Sequence, residues 1–342
     1  MNYKMFGKSG LKVSELCLGT MTFGEDWGWG SSQGECKKIF DAFAEAGGNF
    51  LDTADGYTNG SSEKMVGEFV KGQRDRFVIA TKYSFNQRPG DPNAGGNHRK
   101  NMVQALEGSL KRLGTEYVDI YWVHAWDELT PPEEMMRGLD DLVRQGKILY
   151  IGASNVPSWI VSYSNAIASV RGWTQFSGLQ VEYSLAERTA EREFFTMAQK
   201  LGLEILAWSP LCSGLLTGKY GPGLGAGEEK RLDKTSFVEV SEKKLMIAEE
   251  LKRLAHELGR SPAQVALAWA RKRSIPILGA RTLGQFQDNL RCLDFDLAPE
   301  QEERLNRVSA VELGYPYEFL HKPFVHNYLH GGTYEKIVRA AN

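Results

Sequence analysis

The stretch Phe50-Leu51-Asp52-Thr53-Ala54-Asp55-Gly56-Tyr57 decides how this chain reads. A strand beginning at Asn49 stops at an acid, Asp52. A polar loop then leads to a tyrosine, and a helix over about residues 62–70 follows. This is one strand–loop–helix unit, with its polar residues gathered at the C-terminal end of the strand.

The same unit repeats in both directions. Leu16-Cys17-Leu18-Gly19 is a buried strand, followed by Ile39, Phe40, Phe43 and Ala44 at helical spacing. Phe77-Val78-Ile79-Ala80-Thr81 is the third strand, and Met102, Ala105, Leu106, Leu110 and Leu113 stripe its helix. Val118-Asp119-Ile120-Tyr121-Trp122-Val123 is the fourth, with Met135, Met136, Leu139 and Leu142 after it. Further strands fall at residues 148–152, 179–181, 203–208 and 275–278. The fifth is followed by a helix opening near Pro157, the sixth by one through Phe194, Phe195, Ala198 and Leu201, and the eighth by one through Phe286, Asn289 and Leu290. Eight parallel strands joined by helices, with no linker between them, predict a closed (β/α)₈ TIM barrel. The whole chain, 1–342, reads as one such domain. Its additions are an N-terminal β-hairpin over 3–13 turning at Ser9-Gly10, a glycine-rich loop over 212–240 after strand seven, and a C-terminal tail over 300–342. The loop reads either as a clasp over a ligand or as a solvated linker. The tail, with Tyr315, Tyr317, Phe319, Phe324 and Tyr328, either walls a pocket or caps the barrel.

Composition narrows the partners. Lys plus Arg number 41 and Asp plus Glu 43, a formal charge of −2, so no concentrated basic surface points to nucleic acid or an anionic membrane. No run approaches the ~20 apolar residues that cross a bilayer. The start, Met1-Asn2-Tyr3-Lys4-Met5-Phe6-Gly7-Lys8, has no apolar run of signal-peptide length, and the expectation is a cytoplasmic protein. The four cysteines, Cys17, Cys36, Cys212 and Cys292, form no CxxC pair and read as buried free thiols.

Barrel enzymes work at the C-terminal ends of their strands. Strand two ends at Asp52, strand three at Lys82 and strand four at His124, with Tyr57 one short loop beyond the first. Each alone has a plain structural reading: a cap, a packing tyrosine, a surface lysine, a core histidine. Together, on adjacent strand ends, they form a proton-transfer set. A free phenol has a pKa near 10, and a neighbouring ammonium pulls it down towards a working acid. A carboxylate fixes the ammonium, and an imidazole gives a carbonyl oxygen a second hydrogen bond. No G-x-G-x-x-G fingerprint is present, so a dinucleotide must bind in another way. Gly279-Ala280-Arg281-Thr282, after strand eight and opening a helix, reads as an anion site, and Arg281 suits a 2′-phosphate. On the same rim Trp27, Trp29 and Trp126 are candidate apolar walls for a substrate.

With these segments the sequence resembles the aldo-keto reductases over nearly its whole length, on the side of their channel β-subunit-like and aryl-alcohol-dehydrogenase-like members. The resemblance is carried by residues 16–21, 50–57, 80–82 and 118–124, by Ile151-Gly152-Ala153-Ser154-Asn155, Leu179-Gln180-Val181-Glu182-Tyr183 and Trp208-Ser209-Pro210-Leu211, and by Gly214-Leu215-Leu216-Thr217-Gly218-Lys219-Tyr220. It implies a catalytic tetrad of Asp52, Tyr57, Lys82 and His124 and an NADP(H) laid across the barrel mouth. It implies Ser154, Asn155 and Gln180 on the nicotinamide carboxamide and Trp208 stacked on that ring. Gly19, Thr20, Met21 and Asp52 would also contact the cofactor. Ser209, Leu211, Gly214 and Lys219 would line the pyrophosphate path, and Pro210 and Ser213 would also contact the cofactor. Gly279, Ala280, Arg281, Gln285, Asp288 and Asn289 would surround the adenosine. Tyr57 and His124 would also contact the substrate, a small carbonyl or alcohol. The reaction implied is reversible reduction of an aldehyde or ketone. A metal-dependent hydrolase would need several His or acidic ligands on the rim, and only six histidines occur, with none in an HxH pair at a strand end; His326 and His330 lie in the tail. A module that binds NADPH with very slow turnover is the other alternative. Substrate identity, direction, strictness for NADP over NAD, and the choice of monomer or homo-oligomer stay open at this stage.

Overall fold

Strands buried on both faces read as apolar runs, and here they close into a barrel. The computed structural model describes residues 1–219 and 239–338. A short antiparallel hairpin comes first, β1 (Tyr3–Met5) paired with β2 (Lys12–Ser14). Then come β3 (Cys17–Gly19), β4 (Phe50–Asp52), β5 (Val78–Tyr83), β6 (Val118–Val123) and β7 (Ile148–Ser154). β8 (Phe176–Glu182), β9 (Glu204–Trp208) and β10 (Ile275–Leu278) complete the ring, with β10 paired to β3. The expected (β/α)₈ barrel and N-terminal hairpin are both present.

Helices α1 (Gln33–Glu45), α2 (Ser61–Phe69), α3 (Arg99–Leu113), α4 (Pro132–Arg144), α5 (Ser158–Arg171) and α6 (Phe194–Leu201) follow successive strands. α7 (Glu242–Glu257) and α8 (Pro262–Arg271) lie between β9 and β10. α9 (Leu283–Leu290) follows β10, and α10 (Pro299–Val308), α11 (Tyr317–Leu320) and α12 (Pro323–His330) form the tail.

Period-two alternation sorts each strand's side chains. Cys17, Phe50, Val78, Ala80, Ile120, Trp122, Leu206, Ile275 and Ile277 fill the barrel interior. Their neighbours Leu18, Leu51, Ile79, Tyr121, Leu179 and Ile205 face the helices. Phe6 of the hairpin joins the interior set, edge-on to Phe50, Trp122 and Tyr150 at centroid distances of 6.1, 6.1 and 6.4 Å. Gly152 lies against the Trp122 indole, where a Cβ would fall 2.2 Å from the ring.

Several boundaries differ from the sequence reading. The third strand continues past Thr81 to Tyr83, so Lys82 lies within it and is fully buried. A charge interrupts an apolar run but not a backbone ladder, and β5 pairs with β6 through Lys82 and Tyr83. The hairpin turn is longer than Ser9-Gly10 alone: Phe6 N–H bonds Leu11 O across it. Within the loop after strand seven, Cys212–Thr217 form a 3₁₀ turn. Residues 220–238, on which the clasp expectation falls, lie outside the described residues. In the tail, Tyr315, Phe319, Phe324 and Tyr328 are exposed, with Phe324 edge-on to both Phe319 and Tyr328. All four cysteines are buried and unpaired. Among the described residues no helix is long and apolar enough to cross a membrane.

Candidate active site

The inward alternation that packs Phe50, Val78 and Ala80 into the barrel carries on upwards to polar residues. Two positions beyond Phe50 on β4 is Asp52, and two beyond Ala80 on β5 is Lys82. Lys82 Nζ donates to Asp52 Oδ2 at 2.5 Å, to Thr53 O at 2.8 Å and to the Tyr57 hydroxyl at 3.0 Å. These three bonds match the three N–H donors of an ammonium. Gln180, on β8, donates to the other Asp52 oxygen at 2.7 Å. Burial works against the lysine's charge, but Asp52 and Tyr57 outweigh it, and the Lys82 pKa is raised. The lysine is therefore held charged at any ordinary pH.

Tyr57 opens a 3₁₀ turn, Tyr57–Gly60, in which Thr58 and Asn59 adopt left-handed backbone at φ 45° and 54°. The Thr58 hydroxyl anchors that turn on Phe23 O at 2.6 Å. The phenol corrects the sequence expectation: its pKa is raised, not lowered. Burial is the larger cause, and Lys82 offsets only part of it. At neutral pH Tyr57 is a protonated phenol resting on an ammonium.

His124 follows β6, its amide bonded to Tyr83 O at 2.9 Å. Its ring stands edge-on to Tyr57, with centroids 5.9 Å apart at 80°. Burial, and then Lys82, hold the imidazole pKa well below its usual value, so it is neutral. Nδ1 is buried without a hydrogen-bond partner. The four side chains lie together, with a neutral imidazole and a phenol beside one fixed positive charge.

The other rim residues are placed as follows. Thr20 supports Asp52 from β3's end: its N–H and Oγ1 donate to Asp52 O at 2.9 and 3.1 Å. Gly19 pairs with Asp52 in register, and Met21 is half-buried. Ser154 ends β7 and Gln180 lies within β8, and both are buried. The Asn155 side-chain amide bonds His124 O at 2.9 Å and Ser154 Oγ at 3.1 Å. Trp208 Nε1 is buried without a partner. Ser209, Ser213 and Gly214 have φ of 54°, 53° and 98°, and Ser209 Oγ accepts Ser213 N–H at 3.1 Å. Pro210 is buried, Leu211 half-buried and Lys219 exposed.

After β10, which lies between β9 and β3 in the barrel, Gly279 is exposed and Ala280 O accepts the Thr22 hydroxyl at 2.8 Å. The helix opening there already has partners for several of its amides. Arg281 N–H bonds Gln285 Oε1 at 3.1 Å, Gln285 N–H bonds Thr282 Oγ1 at 3.3 Å, and Leu283 N–H bonds Glu35 Oε1 at 2.7 Å. Both Asp288 oxygens hold the start of α8, through Ser261 at 2.7 Å and Gln264 at 2.6 Å. Asn289 is buried. Among the described residues the Arg281 guanidinium has no ion-pair partner, which leaves it an available cation beside this helix start.

The proposed substrate walls separate. Trp27 stands edge-on to Tyr57 at 6.4 Å and lies 5.6 Å from Trp29. Trp126 packs against the outer core. Two residues at the site escaped the sequence reading. The half-exposed Phe85 ring lies 4.4 Å from His124. Its only signal is its place three residues after Lys82 in a rim loop. Asp55 is buried with neither carboxylate oxygen in a well-formed hydrogen bond. It stands inside the stretch 50–57, but nothing in its spacing marks it. Among the described residues no group of three or more His, Cys, Asp or Glu could hold a metal ion.

Comparison with known proteins gives the chain's family and relatives. Residues 15–310 match the model of the aldo/keto reductase family. The chain is 35% identical to the aryl-alcohol dehydrogenase [NADP(+)] of Phanerodontia chrysosporium, over 96% of this chain and 91% of that protein. It is 33% identical to norsolorinic acid reductase of Aspergillus flavus, over 91% of this chain and 82% of that one. It is 34% identical to the aryl-alcohol dehydrogenase GME11368 of Pestalotiopsis microspora, over 91% and 82% respectively.

Proposed function

The chain belongs to the aldo/keto reductase family, and from that premise we propose that it is an NADP(H)-dependent oxidoreductase reversibly reducing aromatic aldehydes or ketones to alcohols, with Tyr57 as proton donor. The observation that carries this reading is the Tyr57 hydroxyl held 3.0 Å from a buried ammonium and beside a neutral imidazole. Two observations support a dinucleotide at the barrel mouth: Trp208 Nε1 is a buried donor without a partner, and among the described residues the Arg281 guanidinium has no ion-pair partner. Gln180 and Ser154 would hold the carboxamide, and Arg281 with Gln285 would hold the 2′-phosphate. When bound, NADP(H) supplies or accepts the hydride.

The residues of the chain manage the proton and the oxygen. Tyr57, protonated at rest, gives its proton to the carbonyl oxygen as negative charge develops there. Lys82, already in contact, receives the phenolate that results. His124 donates one hydrogen bond to the same oxygen and carries no charge to repel Lys82. Asp52, held by Gln180 and Thr20, keeps Lys82 charged and aimed. In oxidation the phenolate takes the proton back. Trp27, Trp29 and Phe85 supply the aromatic walls that favour an aryl substrate, in keeping with the names of the relatives.

The test is Tyr57→Phe. The variant should fold and bind NADPH, read by quenching of intrinsic fluorescence. It should lose turnover of an aryl aldehyde by at least ~10²-fold, the scale of general acid catalysis. Turnover near that of the parent would overturn the assignment.

A further inference from the structure

Within the loop that carries the acid sits a group that the proton transfer above leaves unused. Asp55 lies two residues before Tyr57 and is 4% exposed. Its backbone N–H ties it to Lys82 O at 3.2 Å, so the loop is pinned to β5 at this point. Neither carboxylate oxygen makes a well-formed hydrogen bond. A buried carboxylate without a well-formed hydrogen bond is costly when ionised and far less so when it holds a proton.

Its surroundings come from four elements. Glu63 of α2 is fully buried and faces it with negative charge. That glutamate is kept in place by the Thr81 hydroxyl at 2.5 Å and by Arg112 Nε at 2.6 Å. Arg112 of α3 and Lys82 of β5 favour ionisation of Asp55, as does the Gly56 amide. Tyr121 of β6 also faces it, its hydroxyl bonded to Met102 O at 3.1 Å. The balance goes to burial first and then to Glu63, and the Asp55 carboxyl is pushed up to about 7. Its charge in turn pushes the Tyr57 phenol up.

We propose that Asp55 is a positioning residue for the reaction, a buried proton-holding group whose charge state sets how readily Tyr57 releases its proton. With a proton on Asp55 the phenol has only Asp52 and burial to overcome, and Lys82 draws its proton off more easily. With Asp55 ionised, a second negative charge opposes the phenolate, and proton delivery slows. The inference rests on Tyr57 being the acid. In this reading Tyr57 alone exchanges a proton with substrate, and Asp55 acts only through its charge.

The test is the pH dependence of single-turnover hydride transfer in both directions, parent against Asp55→Asn. It is paired with an ultraviolet difference titration of tyrosinate referenced to Tyr57→Phe. The asparagine should remove an inflection near neutral pH and lower the ionisation of Tyr57 by about one pH unit, the size expected of one nearby charge in a medium of intermediate dielectric. Superimposable profiles and titrations would overturn the proposal. Should Asp55→Asn not fold, Glu63→Gln serves instead. Removing the facing charge should move the neutral inflection to lower pH, and an unmoved inflection would overturn the proposal equally. Failure of the underlying reading looks different: Tyr57→Phe would then keep its turnover.

Discussion

At the scale of single residues, the site is governed by charges with nowhere to go. Lys82 has no exposed surface and survives as an ammonium because Asp52, Thr53 and Tyr57 take all its donors. Lys82→Met should destabilise the fold by about 3–5 kcal/mol, because it leaves Asp52 buried beside Gln180 alone. Urea denaturation checks this, and an unchanged midpoint would count against the ion pair as drawn. Asp55 acts on stability with the opposite sign from a salt-bridged acid. Its folded pKa, about 7, lies above the unfolded value of about 3.9. The native state therefore binds more protons between these values, and its contribution is fully present below the lower one. That contribution is lost as pH rises through 7, on the order of 4 kcal/mol. Asp55→Asn should gain on the parent in melting temperature from pH 4 to 8, and a constant difference would refute the shift. The positions of Asp52, Lys82 and His124 were legible because polar residues ending apolar runs stand out, and that of Tyr57 because it follows the first by one short loop. The acidity of Tyr57 was not, because the sign turns on how deeply a hydroxyl is enclosed, and sequence does not carry that depth.

At the scale of elements, legibility followed amphipathicity. α4 buries Met135, Met136, Leu139 and Leu142 on one stripe and was readable as a helix. α8 buries Ala263 through Ala270 without a break, so no stripe distinguishes it from a strand, and it went unread. Its start is nonetheless marked by Ser261 and Gln264, which form a capping box. β5 was cut short because Lys82 breaks its apolar run. The start of α9 shows how an element's own caps reshape a functional expectation. An open helix N-terminus is an anion site, but here Glu35, Thr282 and Gln285 already engage its amides and Arg281's. On the function proposed above, affinity for a 2′-phosphate would then fall chiefly to the Arg281 guanidinium, since Glu35 brings negative charge to the same turn. Arg281→Ala should weaken NADP⁺ binding by roughly tenfold or more, the worth of one charge-assisted contact, while NAD⁺ binding changes little. Isothermal titration with both nucleotides checks this; equal losses for the two would remove Arg281 from the 2′-phosphate.

At the scale of the whole molecule, the barrel divides its labour along its axis. The polar tetrad occupies the end where the strands finish, and the opposite end is closed by the N-terminal hairpin. Phe6 has no exposed surface and meets Phe50, Trp122 and Tyr150, which belong to β4, β6 and β7 and the core they share. Gly178 leaves it room, since a Cβ there would come within 2.5 Å of the Phe6 ring. The hairpin was legible in the sequence, but its role as a plug was not, because that depends on glycines and an indole contributed by strands more than a hundred residues away. A plug at one end should matter for stability and not for chemistry at the other. Phe6→Ala should cost about 3–5 kcal/mol, as removal of a buried aromatic does. Its effect on the pH profile of turnover should be nil at temperatures where it stays folded. Denaturant midpoints and that profile, measured on one preparation, separate the two ends. A shifted profile would mean that packing beneath Trp122 reaches the site, and the ladder between Lys82 and Trp122 is the route by which it would do so.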